Sequence, residues 1–242
     1  MPKSQKHTPL VRVYFYIASG ILYIIKYLYT GLALVIIIYI GRSHMKSGTL
    51  FIVSAPSGAG KTSLIAALLA QDLFKNTLSC VITYTSRSPR PGDVNGKDYH
   101  FIQETEFLRL IKKGFFAEWS TAYGTYYGTP LSVLQELTQG HSRVLIVDRA
   151  GAQSMLKVVP EAVLIWITPP SIEVLMERLV ARGTENTAQI ERRMALARQE
   201  MEAGAKSPLY CHTIVNNLFE NSLDSLKNIV ILALDLKKIK GQ

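Results

Sequence analysis

Apolar residues are distributed in two different ways along this chain. Residues 13–40 form one long apolar run that a single lysine, Lys26, interrupts, whereas beyond Met45 the apolar runs are short and separated by polar segments. Short apolar runs such as Leu50–Ala55 are typical of buried strands, and apolar positions at helical spacing, as in Thr187–Glu202, are typical of helices that pack on a core. The pattern therefore predicts a globular domain that begins near residue 45, preceded by a segment of a different kind.

Strands and helices alternate along the predicted domain. Further predicted strands are Val81–Tyr84, Val144–Asp148, Val163–Ile167 and His212–Asn216, and further predicted helices are Thr62–Ala70, Thr105–Lys113, Ser171–Ala181 and Asn221–Lys238. Such alternation predicts an α/β fold in which helices cover both faces of a parallel sheet. Residues 81–130 break the alternation, with turn-rich stretches at Ser88–Gly96 and Tyr123–Gly128, so we expect an inserted mixed α/β lobe there.

The long apolar run admits three interpretations. It is long enough for a membrane-spanning helix, which needs about 20 residues. Lys26 would cost about 2.5–3.5 kcal/mol at the centre of such a helix, but Ile21–Tyr39 holds eleven Ile, Leu or Val residues, so insertion is feasible though not strongly driven. Residues 11–40 are therefore a membrane anchor, an upstream segment outside a working protein that starts at Met45, or a buried core helix. We favour an extension over 1–44 that the domain at 45–242 does not need.

Charge and cysteine content limit the possible partners. The net charge is +9, but residues 1–44 hold five Lys or Arg and no acid, so the domain itself is only mildly basic. Such a balance suits small anionic substrates. No dense basic patch with interleaved aromatics is present, so we expect no nucleic-acid partner. Cys80 and Cys211 lie too far apart in sequence to indicate a metal site or a disulfide framework, which favours a reducing compartment, the cytoplasm.

A phosphate-binding motif follows the first predicted strand of the domain. The stretch SAPSGAGKTS at Ser54–Ser63 matches the end of the template G-x-x-x-x-G-K-[ST], with Ala55 in place of the first glycine. Small residues let backbone N–H groups approach phosphate oxygens, and the following helix N-terminus favours anions. Lys61 would bridge the β- and γ-phosphates, and Thr62 would bind Mg²⁺. The candidate residues of this loop for binding a nucleoside triphosphate are Ala55, Pro56, Ser57, Gly58, Ala59, Gly60, Lys61, Thr62 and Ser63.

The predicted lobe carries residues suited to a second phosphate and to a polar ring. Arg87 and Arg90 lie in the proline-rich stretch SRSPRPG, where their guanidinium groups can fork onto one phosphate, and Tyr99 and Tyr127 can add hydroxyl donors. The tyrosines could equally be core aromatics. Glu118 follows an aromatic pair in FFAEW, and a carboxylate in such an apolar setting needs a partner, for which a ligand edge with N–H donors is suited.

These motifs together resemble the guanylate kinase family over residues 48–235. The matching stretches occur in order: GTLFIVSAPSGAGKTSL, SRSPRPGDVNGKDYHF, YGTYYGTP, GAQ, ITPPS, RLVARGTE and IVNN. The resemblance implies an enzyme that transfers the γ-phosphate of ATP to GMP with Mg²⁺. It also implies a P-loop core at 45–80 and 131–242, a GMP-binding lobe at 81–130 and a helical lid at about 178–198.

The resemblance also implies roles for single residues. Arg87, Arg90, Tyr99 and Tyr127 would hold the GMP phosphate, whereas Glu118, Asp148, Thr83 and Thr129 would contact guanine. Adenine lacks the two N–H donors from which these two carboxylates would accept hydrogen bonds. With adenine bound, the carboxylates would be left without donors, and the resulting penalty would reject this base. In the lid, Arg182 and Arg193 would neutralise charge on the transferred phosphoryl group, with Arg178 assisting. Asn216 matches a position near the adenine of ATP.

One departure from the family pattern bears on catalysis. At the strand end that reads Ile146-Val147-Asp148, the family has a first acid in place of Ile146, which would support Mg²⁺. Asn217, Ala181 and the pair Arg149-Ala150 also differ from the pattern. Because Mg²⁺ leans mainly on waters and substrate phosphates, we expect reduced rather than absent turnover. The alternatives are a guanylate kinase-like binding module with weak or no catalysis, and a kinase for another monophosphate. The sequence leaves the oligomeric state and a membrane-anchored location open.

Overall fold

The computed structural model describes residues 11–18, 21–30, 32–39, 47–122, 124–182 and 187–240. Side chains are described from residue 47 onward, apart from 123, 182–189, 192–193 and 236–242. The chain divides into two compact units, Met1–Met45 and Lys46–Gln242. The division coincides with the change in hydrophobic pattern near residue 45.

The first unit is a three-stranded antiparallel sheet. Its strands are β1 (Val11–Ala18), β2 (Ile21–Thr30) and β3 (Leu32–Tyr39), with β2 in the centre. The register pairs Val11 with Leu28 on one side of β2, and Tyr23 with Tyr39 on the other.

The helix expected in this segment, whether as a membrane anchor or as a core helix, is therefore wrong. The run is rich in Val, Ile, Tyr and Phe, whose β-branched and aromatic side chains favour strands. Gly20 and Gly31 punctuate the sequence between the apolar stretches, as expected for strand connections. An apolar run does not by itself distinguish helix from strand, because both can be apolar throughout. Within the part of the chain that the structure describes, no helix has the length and apolar character needed to span a membrane.

The second unit alternates strands and helices as expected. Its elements in chain order are β4 (Leu50–Ser54), α1 (Lys61–Leu69), β5 (Leu78–Cys80), β6 (Tyr84–Thr85), β7 (His100–Phe101), α2 (Glu104–Lys112), β8 (Phe116–Ala122), β9 (Thr125–Pro130), α3 (Ser132–Thr138), β10 (Ser142–Ile146), α4 (Arg149–Val158), β11 (Val163–Thr168), α5 (Ile172–Arg182), α6 (Thr187–Ala205), β12 (His212–Val215) and α7 (Phe219–Lys240).

The core of this unit is a five-stranded parallel sheet between two layers of helices. The strand order is β12-β11-β4-β10-β5, which places β4 in the centre. Because side chains alternate across a strand, Phe51 and Val53 of β4 pack on the side that also holds apolar residues of α1 and α7. Leu50 and Ile52 pack on the opposite side, with apolar residues of α3 and α4. The predicted α/β fold with a parallel sheet is confirmed.

A separate mixed sheet occupies the region that breaks the alternation. Its order is β7-β6-β9-β8, with β6 and β7 parallel and the other pairs antiparallel. Helix α2 packs on it through Phe107, which is fully buried and stacks on Phe116 with ring centroids 4.6 Å apart. Gly128 lies beneath these rings, where a Cβ atom would come within 2.9 Å of Phe107. The lobe thus has its own aromatic core.

Three local predictions within this lobe were wrong. Tyr126, Tyr127 and Gly128 belong to strand β9 rather than to a turn, because β9 pairs with both β6 and β8. The strand expected at Val81–Tyr84 is split: β5 ends at Cys80 and β6 begins at Tyr84. Helix α2 begins one residue before the expected cap, and Gln103 takes the cap position.

Candidate active site

The loop between β4 and α1 has the backbone conformation of a phosphate cradle. Gly58 and Gly60 adopt positive φ angles of 92° and 87°, a conformation that side chains disfavour. Each glycine also lies against a neighbour: a Cβ at Gly58 would come within 2.9 Å of Leu175, and one at Gly60 would collide with the amide of Asn216. Glycine is therefore required at both positions by conformation and by space.

The same loop presents a helix N-terminus with no side-chain cap. Gly60 occupies the cap position of α1 and, as a glycine, brings no side-chain acceptor to the first turn. The first N–H groups of a helix have no partner within the helix and carry the positive end of its dipole. A phosphate group bound in the loop would satisfy these donors.

Lys61 is the first residue of α1 and lies in a partly buried, acidic setting. Burial lowers the pKa of its ammonium group, whereas the charges of Glu200 and Asp148 act to raise it. Because burial disfavours the charge of this ammonium group, the oxygens of a bound phosphate would stabilise it. Thr62 and Ser63, in the same first turn, are exposed.

The protein oxygens near the loop are few, which fits a magnesium ion whose ligands come mainly from nucleotide phosphates and water. Thr62 offers an exposed hydroxyl, but Ile146, at the end of β10, packs on the apolar layer that includes α1 and offers no oxygen. Among the described residues, no group of three or more His, Cys, Asp or Glu could hold a metal ion. Mg²⁺ commonly keeps its waters and binds through one or two protein oxygens and substrate phosphates, so one hydroxyl is compatible with it.

Asn216 connects the end of β12 to the phosphate loop. Its side chain is buried, and Nδ2 donates a hydrogen bond of 2.7 Å to the carbonyl of Ala59. The carbonyl of Asn216 in turn accepts a bond of 2.8 Å from Nη2 of Arg178 on α5. The other terminal nitrogen of Arg178, Nη1, is buried without a partner among the described residues. Asn216, the residue predicted near the adenine of ATP, therefore contacts the phosphate loop itself, and Arg178, predicted to assist the lid arginines, contacts the backbone of Asn216.

Glu118 on β8 and Asp148 after β10 converge on one glycine. A Cβ atom at Gly151 would lie 3.1 Å from Oε2 of Glu118 and 3.4 Å from Oδ1 of Asp148. Asp148 is the N-cap of α4: its Oδ1 accepts from the N–H of Gly151 at 2.7 Å, and its Oδ2 accepts from the Ser120 hydroxyl at 3.0 Å. This residue was predicted as a strand end, but β10 stops two residues earlier.

Glu118 is buried with half of its hydrogen-bonding capacity unused. Oε1 accepts a bond of 2.5 Å from the hydroxyl of Thr129, whereas Oε2 is buried and has no partner within the described part of the chain. Burial, together with the charge of Asp148, raises the pKa of Glu118 to about 7, against the effect of the hydrogen bonds from Thr129. A buried acceptor without a donor is costly, so this atom indicates a place where a ligand donates. Thr83 is also buried, in the segment between β5 and β6.

The four residues predicted to hold a second phosphate lie together. The guanidinium carbon of Arg87 lies 5.5 Å from the ring centre of Tyr99, and the rings of Tyr99 and Tyr127 are 6.0 Å apart. Burial, with the nearby Tyr127, raises the pKa of Tyr99, whereas the charges of Arg87 and Arg90 act to lower it. The side chain of Arg90 is exposed.

Asp93 already occupies part of this cationic cluster. Its Oδ2 accepts from Nη2 of Arg87 at 2.9 Å and from the backbone N–H of Arg90 at 2.7 Å. Partial burial acts to raise the pKa of Asp93, but the bonds from Arg90 and Arg87 outweigh it and hold the pKa below its usual range. A bound phosphate would compete with this carboxylate for Arg87.

Some predicted residues cannot be placed in the site, and others were missed. The side chains of Arg182, at the end of α5, and Arg193, in α6, lie outside the described residues. Sequence reasoning missed Asp93, Ser120 and Glu200. Asp93 lies in the quoted stretch SRSPRPGD and could have been weighed as the partner of Arg87, but Ser120 and Glu200 meet their partners only through the fold.

The fold and the loop define a class of protein. A parallel sheet between helical layers, with a strand–loop–helix unit that ends in Gly60-Lys61-Thr62, is the architecture of a P-loop nucleotide-binding protein. The sequence profile of the guanylate kinase family matches residues 47–232. The chain therefore belongs to the guanylate kinase family, a family of nucleoside monophosphate kinases, and the resemblance seen in the sequence is confirmed.

Individual relatives agree with this assignment. The guanylate kinase of Shewanella sp. (strain MR-7) is 45% identical over 184 residues, which cover 76% of this chain and 86% of the relative. That of Coxiella burnetii (strain RSA 493 / Nine Mile phase I) is 44% identical over 187 residues, 77% of this chain and 88% of the relative. The crystal structure of guanylate kinase from Anaplasma phagocytophilum aligns with a TM-score of 0.61 at 28% identity, over 77% of this chain and 86% of that one.

Proposed function

We propose that this protein transfers the γ-phosphate of ATP to GMP and so produces ADP and GDP. The observation that carries the proposal for guanine concerns Oε2 of Glu118: it is buried, has no partner among the described residues, and converges with Asp148 on Gly151. The N1–H and 2-amino group of guanine are two donors on one edge: one would satisfy Oε2 of Glu118, and the other would add a bond to a carboxylate oxygen of Asp148, since each carboxylate oxygen can accept more than one. Adenine offers no donors there, so its binding would leave the buried Oε2 of Glu118 unpaired, a penalty that rejects the wrong base strongly.

The GMP phosphate would bind at the cluster of Arg87, Arg90, Tyr99 and Tyr127. Arg87 is oriented over the Tyr99 ring and carries a planar fork of donors suited to phosphate. On binding, the phosphate would take over the place that Asp93 occupies beside Arg87. Thr83 and Thr129 would contribute hydroxyl groups near the base, and Thr129 already orients Glu118. Residues 81–130 would then form the GMP-binding lobe.

The triphosphate of ATP would lie along the loop Ala55–Ser63, with Lys61 on its β- and γ-phosphates. Mg²⁺, with Thr62 as its protein ligand, would neutralise charge on the phosphate oxygens. Asn216 would hold the loop in shape from beneath, and Arg178 would support Asn216. By family resemblance, Arg182 and Arg193 would act from a lid at about 178–198, which corresponds to parts of α5 and α6.

The catalytic reading is favoured over that of a binding module. The two relatives carry the name of the kinase, and Lys61 lies in the first turn of α1, at the phosphate loop, where its ammonium group can bind phosphate oxygens. Ile146 is the feature of this chain that favours a binding module without catalysis. It replaces an acid that could support Mg²⁺, but it leaves the phosphate loop intact. We place the reaction in the cytoplasm, where ATP and GMP are available and thiols such as Cys80 and Cys211 stay reduced.

The direct test is a kinase assay on the full chain. Purified protein with ATP, Mg²⁺ and GMP should form ADP and GDP at equal rates, and AMP or UMP in place of GMP should give far lower rates. ADP formation no greater than in a control without GMP would exclude the transferase. A higher rate with AMP or UMP than with GMP would instead show that the protein is a kinase for another nucleoside monophosphate.

A further inference from the structure

A carboxylate from helix α6 lies in the phosphate loop. Oε2 of Glu200 accepts a hydrogen bond of 3.2 Å from the backbone N–H of Ser57, although the two residues are 143 positions apart in sequence. Ser57 is the third residue of the loop, and its N–H is one of the donors expected to face phosphate oxygens. Glu200 is also the first of the two carboxylates whose charges raise the pKa of Lys61. An anionic group of the protein therefore already contacts the cradle at Ser57 and acts electrostatically on Lys61.

Apolar packing holds Glu200 in this place. Met194 and Ala197 of α6 are buried against Leu175 and Leu179 of α5. Glu200 follows Ala197 by three positions, so both side chains project from the same face of the helix. Leu175 and Leu179 also line the space beside Gly58 of the loop. The packed pair of helices thus lies directly on the phosphate loop and presents one acid to it.

The Glu200 carboxylate and a bound triphosphate would compete for the same groups of the loop. Both the carboxylate and a phosphate oxygen are acceptors, and the N–H of Ser57 has one hydrogen to donate. Two anions within a few ångströms of each other in a partly buried site repel strongly. Lys61 can compensate either anion, but it cannot neutralise a carboxylate and several phosphate charges together.

We propose that Glu200 is an internal competitor of the donor nucleotide: its carboxylate occupies part of the phosphate cradle and leaves when the triphosphate binds. The inference rests on the proposed function, because it assigns the loop to ATP. Since Glu200 is attached to α6, its departure releases a polar tie between that helix and the loop. Binding of the triphosphate is thereby coupled to the position of α6, and Glu200 lowers the affinity for the donor.

The test compares binding of inorganic tripolyphosphate, and of ATP with Mg²⁺, to the full chain and its variants by calorimetry. In Glu200→Gln the charge is lost while the shape remains, and in Glu200→Ala the acceptor is lost too. Glu202→Gln is the matched control: Glu202 lies on the same helix but is exposed and paired with Lys206 at 2.6 Å. We expect about tenfold tighter tripolyphosphate binding in Glu200→Gln, at least as much in Glu200→Ala, and a change below about twofold in Glu202→Gln.

A second readout reports the contact itself without any ligand. The amide resonance of Ser57 should shift in Glu200→Gln and Glu200→Ala and stay in place in Glu202→Gln, and GMP affinity should stay unchanged in all three. Tripolyphosphate binding that is unchanged or weaker in both Glu200 variants would overturn the inference while leaving the kinase intact. No binding of tripolyphosphate or ATP by wild type or by any variant would overturn the proposed function, and this inference with it.

Discussion

The side-chain amide of Asn216 donates a 2.7 Å hydrogen bond to the carbonyl of Ala59, and so joins the end of β12 to the phosphate loop. Both residues are buried. The amide also fills the space beside Gly60 where a side chain would otherwise fit. The shape of the phosphate loop therefore depends on a residue more than 150 positions away, as well as on its own glycines.

Substitution Asn216→Ala should destabilise the protein and loosen the loop. The Ala59 carbonyl would lose its partner in a buried place, which costs about 1–3 kcal/mol. The free energy of unfolding in urea should fall by that amount, and the KM for ATP should rise more than the KM for GMP. Asn217→Ala is the control, because the neighbouring Asn217 is exposed; equal losses in the two variants would show that the side-chain bond to the loop is unimportant.

Substitution Lys61→Ala should abolish turnover without unfolding the protein. The residue compensates phosphate charge that develops in the transition state, and loss of such a group costs at least about 100-fold in kcat. Because burial lowers the pKa of the Lys61 ammonium, its removal should leave the melting temperature equal or higher. Lys75→Ala, which removes an exposed lysine paired with Asp72, should retain full activity. Wild-type turnover in Lys61→Ala would refute the placement of ATP in this loop.

Substitution Glu118→Gln should weaken the preference for GMP. An amide presents a donor where the guanine edge needs an acceptor, so kcat/KM for GMP should fall by about 100-fold or more, with a smaller change for AMP. The control Glu104→Gln alters an exposed acid at the start of α2. If the ratio of kcat/KM for GMP and AMP did not change, Glu118 would have no part in base recognition.

The same residue makes stability depend on pH. The pKa of Glu118 is about 7 in the fold against 4.5 for an ordinary glutamate. The folded state therefore holds its proton more tightly, and the stability that this contributes is complete below about pH 4.5 and is lost as the pH rises through 7. The loss amounts to about 3 kcal/mol. In urea titrations from pH 5 to 8, the difference in unfolding free energy between wild type and Glu118→Gln should shift by about this amount in favour of the variant, and a constant difference would contradict the assignment.

Substitution Ile146→Asp should raise turnover at limiting Mg²⁺. The new carboxylate would stand at the end of β10, on the same side of the sheet as α1, where an oxygen could support the metal. The variant should also lose about 1–3 kcal/mol of stability, because a partly buried apolar contact becomes polar. Ile146→Asn, of similar size but uncharged, separates the two effects. Equal turnover in Ile146→Asp, Ile146→Asn and wild type would show that the missing acid does not limit the reaction.

Local motifs could be predicted from the sequence because their chemistry lies within a few residues. The loop Ala55–Ser63 is one continuous segment whose glycines, lysine and threonine specify its role. The alternating strands were recognised because burial on both faces leaves short apolar runs. Boundaries were less accurate: Asp148 was placed in a strand, whereas it caps helix α4 through the N–H of Gly151. Capping depends on where strand pairing stops, which periodicity does not record.

The first unit shows the limit of hydrophobic pattern alone. Residues 13–40 are apolar enough for a spanning helix, yet the described part of this segment lies in three antiparallel strands. A helix forms the hydrogen bonds of its backbone N–H and C=O groups within one segment, whereas strands form them between segments. The choice between them depends on whether partners are present, and on the β-branched and aromatic content that favours pairing.

By itself the sequence determined the α/β class, the phosphate loop and the types of side chain available to a guanine nucleotide. The tertiary structure alone decided which of these groups meet. Parallel pairing of β4 with β10 and β11 sets the carboxyl ends of the strands side by side, and the lobe brings Glu118 to Asp148 over Gly151. Packing of α6 on α5 likewise brings Glu200 to Ser57. Such contacts join residues far apart in the chain, and only the folding of the intervening segments determines their distance.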